Sequence, residues 1–177
     1  MRKELDSLLC EKYPLLFKDR NADMKTTAMC WGFAHGDGWF NIIDTLCLHL
    51  HASYDRAKSN HDYLVSRLGK SRFGDSNKNI VVQEDIDESK AKMDAEAELV
   101  PTVVQVKEKL GTLRFYIQAG TDAHYNYISF AESMSGVTCE TCGKPGKRLG
   151  RGWIYTACEE HAEDDDWADS LATYEEE

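Results

Sequence analysis

Three cysteines and a histidine form two matched pairs near the end of the chain: Cys139-x2-Cys142, fifteen intervening residues, then Cys158-x2-His161. Each pair, with two residues between its donors, can wrap one edge of a tetrahedral ion, and the intervening loop brings the two edges together. Gly143 follows the second cysteine, where a knuckle has to turn tightly, and Lys144-Pro145-Gly146 continues the turn. Residues 153–156, Trp-Ile-Tyr-Thr, form a short β-like run that delivers Cys158. The pattern is that of a Cys3His zinc site. A redox Cys-x2-Cys pair would not require Cys158 and His161 at matching spacing. Four protein ligands leave no open position for water or substrate, so the Zn2+ is expected to be structural, stapling a module with too small a core to fold alone.

Inside the zinc loop, Lys144, Lys147, Arg148 and Arg151 stand against Glu140 alone, with Trp153 and Tyr155 available for stacking. That is the composition of a nucleic-acid-binding face. The preferred reading is that these cations neutralise the thiolates and the acidic segment that follows. From Glu159 to the end there are ten acidic residues, Asp164, Asp165 and Asp166 among them, and no Lys or Arg. The whole chain has 31 acidic and 21 basic residues, so removing those ten leaves 21 against 21. The net charge of −10 therefore belongs to the tail, and the body is formally neutral. A generally basic nucleic-acid binder is disfavoured, and with 42% hydrophobic residues so is disorder of the whole chain.

Other groupings are weaker. Cys30, His35 and Asp37 have the residue types of a nucleophilic site but lie on one tight bend. Cys47 and His51, four apart, could chelate a metal with Cys30 or His35, yet no full ligand set is evident. Lys107, Lys109 and Arg114 alternate with apolar residues, as on a solvated hairpin face. The alternative for those three is an anion site. No phosphate loop, dinucleotide fingerprint, His-Glu-x-x-His or nucleophile elbow occurs, so no enzymatic activity is expected.

The elements that must position these groups can be read from periodicity. Leu5, Leu8, Leu9 and Tyr13 mark an amphipathic helix ending near Pro14, followed by a polar loop over residues 18–28. Residues 29–39 interleave large apolar side chains with Gly32, Gly36 and Gly38. They should form a bend with buried aromatics and close backbone approaches. Trp39, Ile42, Ile43, Leu46, Cys47, Leu50 and Tyr54 give the best helix signal, with Asp37 placed to cap it. Residues 56–78, with Gly69, Gly74 and Asn77 and with Asn79 just beyond, read as loop; 80–82 as a short strand; 85–98 as an exposed helix. This middle region is expected to vary most in conformation. Residues 103–109 and 112–117 form a hairpin around Leu110-Gly111, and 122–134 a helix ending at Gly136.

The expected fold is α+β: N-terminal helices packed on a small antiparallel sheet, with a C-terminal zinc knuckle or ribbon. The expected units are an α+β body over 1–136, a zinc-binding module over 137–161 and an acidic tail over 162–177. No run of about 18 apolar residues would cross a membrane. The charged opening residues Arg2, Lys3, Glu4 and Asp6 do not indicate export, and a reducing cytoplasm suits the scattered thiols.

Three strings together carry a resemblance: residues 29–39 (Met29-Cys30-Trp31-Gly32-Phe33 through Gly36-Asp37-Gly38-Trp39), 106–116 (Val106 to Tyr116, around Lys109-Leu110-Gly111-Thr112) and 139–146 (Cys139 to Gly146). In that order they resemble a family of small proteins of tailed bacteriophages and prophages. The resemblance covers most of the chain outside residues 55–98 and the tail. It implies the cytoplasm of a bacterial host as workplace and an accessory role in infection, and it transfers no catalytic residue. The leading expectation is a non-enzymatic protein that binds a host protein or complex and inhibits an antiviral defence system, its acidic tail engaging a basic surface. The alternatives are a nucleic-acid-binding regulatory module using the basic zinc loop, and a small-ligand (nucleotide) binder using the bend from Trp31 to Trp39.

Overall fold

The computed structural model describes residues 1–74, 79–163, 166, 167 and 170. The chain is α+β. Helix α1 (Lys3–Lys12) is followed by turns, a two-residue strand β1 (Phe33–Ala34) and the long helix α2 (Phe40–Ser66). Helix α3 (Gln83–Leu99), the hairpin β2 (Thr102–Lys109) and β3 (Thr112–Gln118), and helix α4 (Asp122–Ser135) complete the larger part. A second, two-stranded sheet of β4 (Lys147–Leu149) and β5 (Tyr155–Ala157) carries the cysteine pairs.

The main core is a continuous layer in which Leu9, Tyr13, Leu16 and Phe17 meet Trp39, Ile43 and Leu46 of α2, Val103 and Val106 of β2, Leu113 and Phe115 of β3, and Ile128 and Ala131 of α4. The sheet order is β1-β2-β3. The expected antiparallel hairpin forms, and β1 joins its other edge in parallel, pairing Phe33 with Val106. Helix α4 covers the open edge of β3: Ser135 Oγ accepts from Leu113 N–H at 2.8 Å and Glu132 Oε1 from Phe115 N–H at 3.0 Å. Side chains thus satisfy edge amides that would otherwise invite another strand.

Several local expectations need correction. Asp37 does not cap α2; it lies in a short 3-10 turn (Asp37–Trp39) and binds the backbone N–H and side chain of Arg2. Helix α2 does not stop near Tyr54 but runs to Ser66, burying Ala57 and Leu64, and α3 packs along it. Residues 80–82 make only isolated bridges, Ser71 with Ile80 and Leu68 with Val81, while Val81 and Ile86 form a small cluster with Leu64. Asn77 lies outside the described residues. Trp31 is not buried in the bend but 66% exposed, whereas Phe33 and Trp39 are buried as expected. Helix α4 ends at Ser135, and Gly136 stops it at φ −70° without a left-handed turn.

Candidate metal centre

The first ligand pair sits on a knuckle closed by two backbone bonds. Cys139 N–H donates to Lys144 O at 2.8 Å, and Gly143 N–H donates to Cys139 O at 2.9 Å. Gly143 has φ +78°, which glycine adopts without the steric cost a side chain would bring. The second pair follows β5, where Cys158 leads into a single 3-10 turn, Glu159–His161, that carries His161 back toward it.

The four donor atoms of Cys139, Cys142, Cys158 and His161 all lie within 4.8 Å of one another. Cys142 Sγ is 3.6 Å from Cys158 Sγ, and His161 Nδ1 is 3.2 Å from Cys158 Sγ and 3.8 Å from Cys139 Sγ. A tetrahedron with metal–sulfur bonds of about 2.3 Å and a metal–nitrogen bond of about 2.1 Å has edges of roughly 3.6–3.8 Å. The donor set therefore fits one tetrahedral ion, with Nδ1 as the histidine donor. Among the described residues this is the one such cluster.

Burial pushes the Cys139 thiol up, but the backbone amides of Cys158, Cys142 and Thr141 outweigh it and bring its pKa down to about 7. Cys142 moves the other way: the Lys144 amide favours its thiolate, yet burial and the adjoining Cys139 and Cys158 thiols raise it. Sulfurs this close resist sharing negative charge, and a divalent cation among them removes that obstacle.

The module is built onto the body through the glycine-rich bend. Gly38 N–H donates to Glu140 O at 2.7 Å, Gly36 N–H to Glu140 Oε1 at 2.8 Å, and Trp39 Nε1 to Thr138 O at 2.8 Å. A Cβ on Gly38 would stand 2.2 Å from Cys139 O and 2.5 Å from Gly143 N, so only glycine admits the knuckle here. The hairpin tip is held from the other side. Leu110 and Gly111 both have positive φ, as a two-residue type I′ turn requires. Arg148 donates to Leu110 O at 2.9 Å, and the Thr156 hydroxyl donates to Gly111 O. The three sequence strings that lie far apart in the chain thus meet around the cysteine knuckle.

The basic residues of the loop are engaged locally. Lys144 pairs with Glu160 at 2.6 Å on the surface, and Lys147 lies over the Trp167 ring at 4.7 Å. Trp153 is 77% exposed on the loop tip beside Arg151. Asp166 accepts from the Tyr155 hydroxyl at 2.9 Å; Asp164 and Asp165 fall outside the described residues.

The other candidate groups make contacts of their own, with Lys107 and Arg114 opposite each other across the hairpin. Cys30 Sγ donates to Thr27 O, His35 Nδ1 faces Gly36 O, and Asp37 is held by Arg2. Burial lowers the His35 pKa to about 4 and pushes the Cys47 thiol well up. His51 Nδ1 pairs with Asp55 at 2.9 Å. Lys107 lies over Tyr116, while Arg114 turns back to Leu113 O and toward Glu132. The second half of the bend, at Gly36, Gly38 and Trp39, packs against the knuckle.

One surface escaped the sequence reading. A groove of about 610 Å³ runs between α2 and α4, lined by Ile42, Leu46, Tyr127, Phe130 and Met134 with Asn41, Thr45, His49 and Asn126. Its lining contains no Asp, Glu, Lys or Arg. Phe130 is 68% exposed there, and His49 stacks on Tyr127 at 4.8 Å. The available signal was a second apolar stripe on α4, Tyr127, Phe130 and Met134, beside the buried Ile128 and Ala131.

No protein-family model matches the chain, and none of the curated proteins or solved structures compared with it is significantly similar.

Proposed function

We propose that this chain is a zinc-stapled, non-enzymatic binding protein that holds a protein or complex of the bacterial host and thereby inhibits an antiviral defence system. The phage setting rests on the three-string resemblance and the bacterial cytoplasm on the unpaired thiols. Zinc is the metal that three thiolates and one imidazole in a tetrahedral set favour, and its closed coordination gives it a structural role.

The observation that carries the binding reading is the α2–α4 groove. Exposed aromatic and methionine side chains lining an uncharged trough between two helices suit the apolar face of a third helix. Soluble monomers seldom leave such a patch uncovered. Glu160 at the end of the metal module and Asp166 of the tail contact the chain's own Lys144 and Tyr155, which leaves the groove as the better-supported contact surface.

The test is affinity capture from infected cells with the intact chain and with Phe130→Ser, followed by rebinding of the captured protein in purified form. The proposal expects a host protein that binds the intact chain directly, is lost with Phe130→Ser, and whose defence activity falls when the intact chain is expressed. A host partner that binds both forms equally well would remove the groove from the account. Recovery of no direct partner would remove the function.

A further inference from the structure

The groove between α2 and α4 continues beyond its own walls. At His49 and Tyr127 it adjoins a second groove of about 330 Å³, and that one adjoins, at Ser53, Arg56 and Glu96, a third of about 310 Å³ between α2 and α3. We propose that this continuous trough takes one amphipathic α-helix of a partner protein, about four turns long, whose apolar stripe ends in an acidic residue that pairs with Arg56. The inference rests on the groove reading above and adds the length, spacing and polarity of the segment that the groove holds.

Spacing identifies the occupant as a helix. Ile42, Thr45, His49, Ala52 and Arg56 of α2 line the trough at intervals of three, four, three and four residues, and Ala123, Tyr127, Phe130 and Met134 of α4 line it at four, three and four. Seams with that alternation stay on one side of each helix and offer holes at the pitch of a third helix's side chains. An extended peptide or an aliphatic chain has no such period to match. From Ile42 to Arg56 the seam rises about 21 Å, the length of a helix of about 14 residues.

Charge gives that helix its polarity. The first compartment contains no Asp, Glu, Lys or Arg, whereas the far end sets Arg56 and Lys92 against Glu96 alone. Arg56 donates to Ser53 Oγ at 3.1 Å, and among the described residues neither cation is in an ion pair. The carboxylates of α2 itself are engaged elsewhere, Asp44 by Lys12, Asp55 by His51 and Asp62 by Lys58. An acidic side chain one turn beyond the last apolar anchor therefore meets an unspent cation, and a basic one meets repulsion.

The test is selection of a displayed library of amphipathic helical peptides, about 16 residues long, on the full-length, zinc-loaded chain. The library keeps apolar anchors at i, i+3, i+7 and i+10 and lets the residue one turn beyond be Glu, Gln or Lys. Selected peptides are then measured by fluorescence anisotropy against the parent, Phe130→Ser, Thr45→Lys and Arg56→Glu, each verified as folded by its melting curve. All three positions are exposed, so these variants leave the core intact. Expected are enrichment of Glu on the parent and of Lys on Arg56→Glu, and affinity at least about tenfold lower with Phe130→Ser and with Thr45→Lys. Selection of no peptide sensitive to both substitutions would overturn the proposal, as would an end preference that Arg56→Glu does not invert. Sedimentation of the parent as a dimer that Phe130→Ser dissolves would give the trough to a second copy instead. A co-purified amphiphile in the native mass spectrum, lost with Thr45→Lys, would give it to a small ligand. Because the probes are peptides, their failure would strike this inference and leave a host partner to bind elsewhere, whereas failure to capture a host protein would strike the proposed function and leave the trough's preference standing.

Discussion

The α carbon of Gly38 faces the carbonyl of Cys139 so closely that a methyl group there would sit 2.2 Å from the oxygen. The bend before α2 and the first cysteine of the cluster are therefore a single packed unit, although 101 positions separate them in the chain. Metal, knuckle and helix start should rise and fall in stability together.

Gly38→Ala is expected to destabilise the fold by about 3 kcal/mol, because the clash is with backbone atoms that cannot rotate away. Chemical denaturation measures this directly. The metal should also be released to a chelator faster than from the parent chain, since the knuckle has to shift to make room.

The expected pH dependence below neutrality centres on His35. Burial lowers its pKa from 6.5 to about 4, so the unfolded chain takes up a proton there before the folded chain does. Stability from this group is fully present above pH 6.5, falls with falling pH between 6.5 and 4, and is lost below that window. The shift corresponds to about 3 kcal/mol over the whole window. His35→Phe should flatten that part of the stability curve, which denaturation at a series of pH values would resolve.

Leu110 occupies the left-handed region at φ +54° and is exposed, in a turn that favours Asn-Gly. Leu110→Asn should stabilise the hairpin by roughly 0.5–1 kcal/mol, read as a higher melting temperature. Its carbonyl still accepts from Arg148, so the docking of the hairpin on β4 should persist.

Phe130→Ser removes an exposed side chain from the α2–α4 groove without opening the core. Its effect on stability should stay within about 0.5 kcal/mol. A thermal melt matching the parent, together with lost partner binding, separates a contact role for Phe130 from a packing role.

Much of this architecture is legible in the residues, and the gaps have physical causes. The clustering of Cys139, Cys142, Cys158 and His161 is readable because two-residue spacing is what tetrahedral coordination asks of each pair. The hairpin is readable because Leu110-Gly111 interrupts two β-branched runs. Helix α2 beyond Tyr54 is not, since only Ala57 and Leu64 of that half are buried and its apolar period fades against α3. Asp37 has the type and place of a cap, yet Arg2 claims its carboxylate. The crowding of Gly36 and Gly38 is foreshadowed by composition, but their neighbour is a tertiary fact that no local pattern contains. Trp31 lies in an apolar run and still faces solvent, because the glycine after it turns the chain at φ +78°. The groove was hidden by α4 carrying two apolar stripes, of which periodicity singles out only the one that fills the core.

The central claim is that one structural zinc ion, held by Cys139, Cys142, Cys158 and His161, fastens the knuckle to the body. Native mass spectrometry of the full chain and of Cys142→Ser, paired with their melting curves, tests it most directly. The account predicts one zinc per chain, its loss in the variant, and a marked fall in melting temperature that a chelator reproduces in the parent. A parent chain without zinc, or a variant that melts as the parent does, would contradict it.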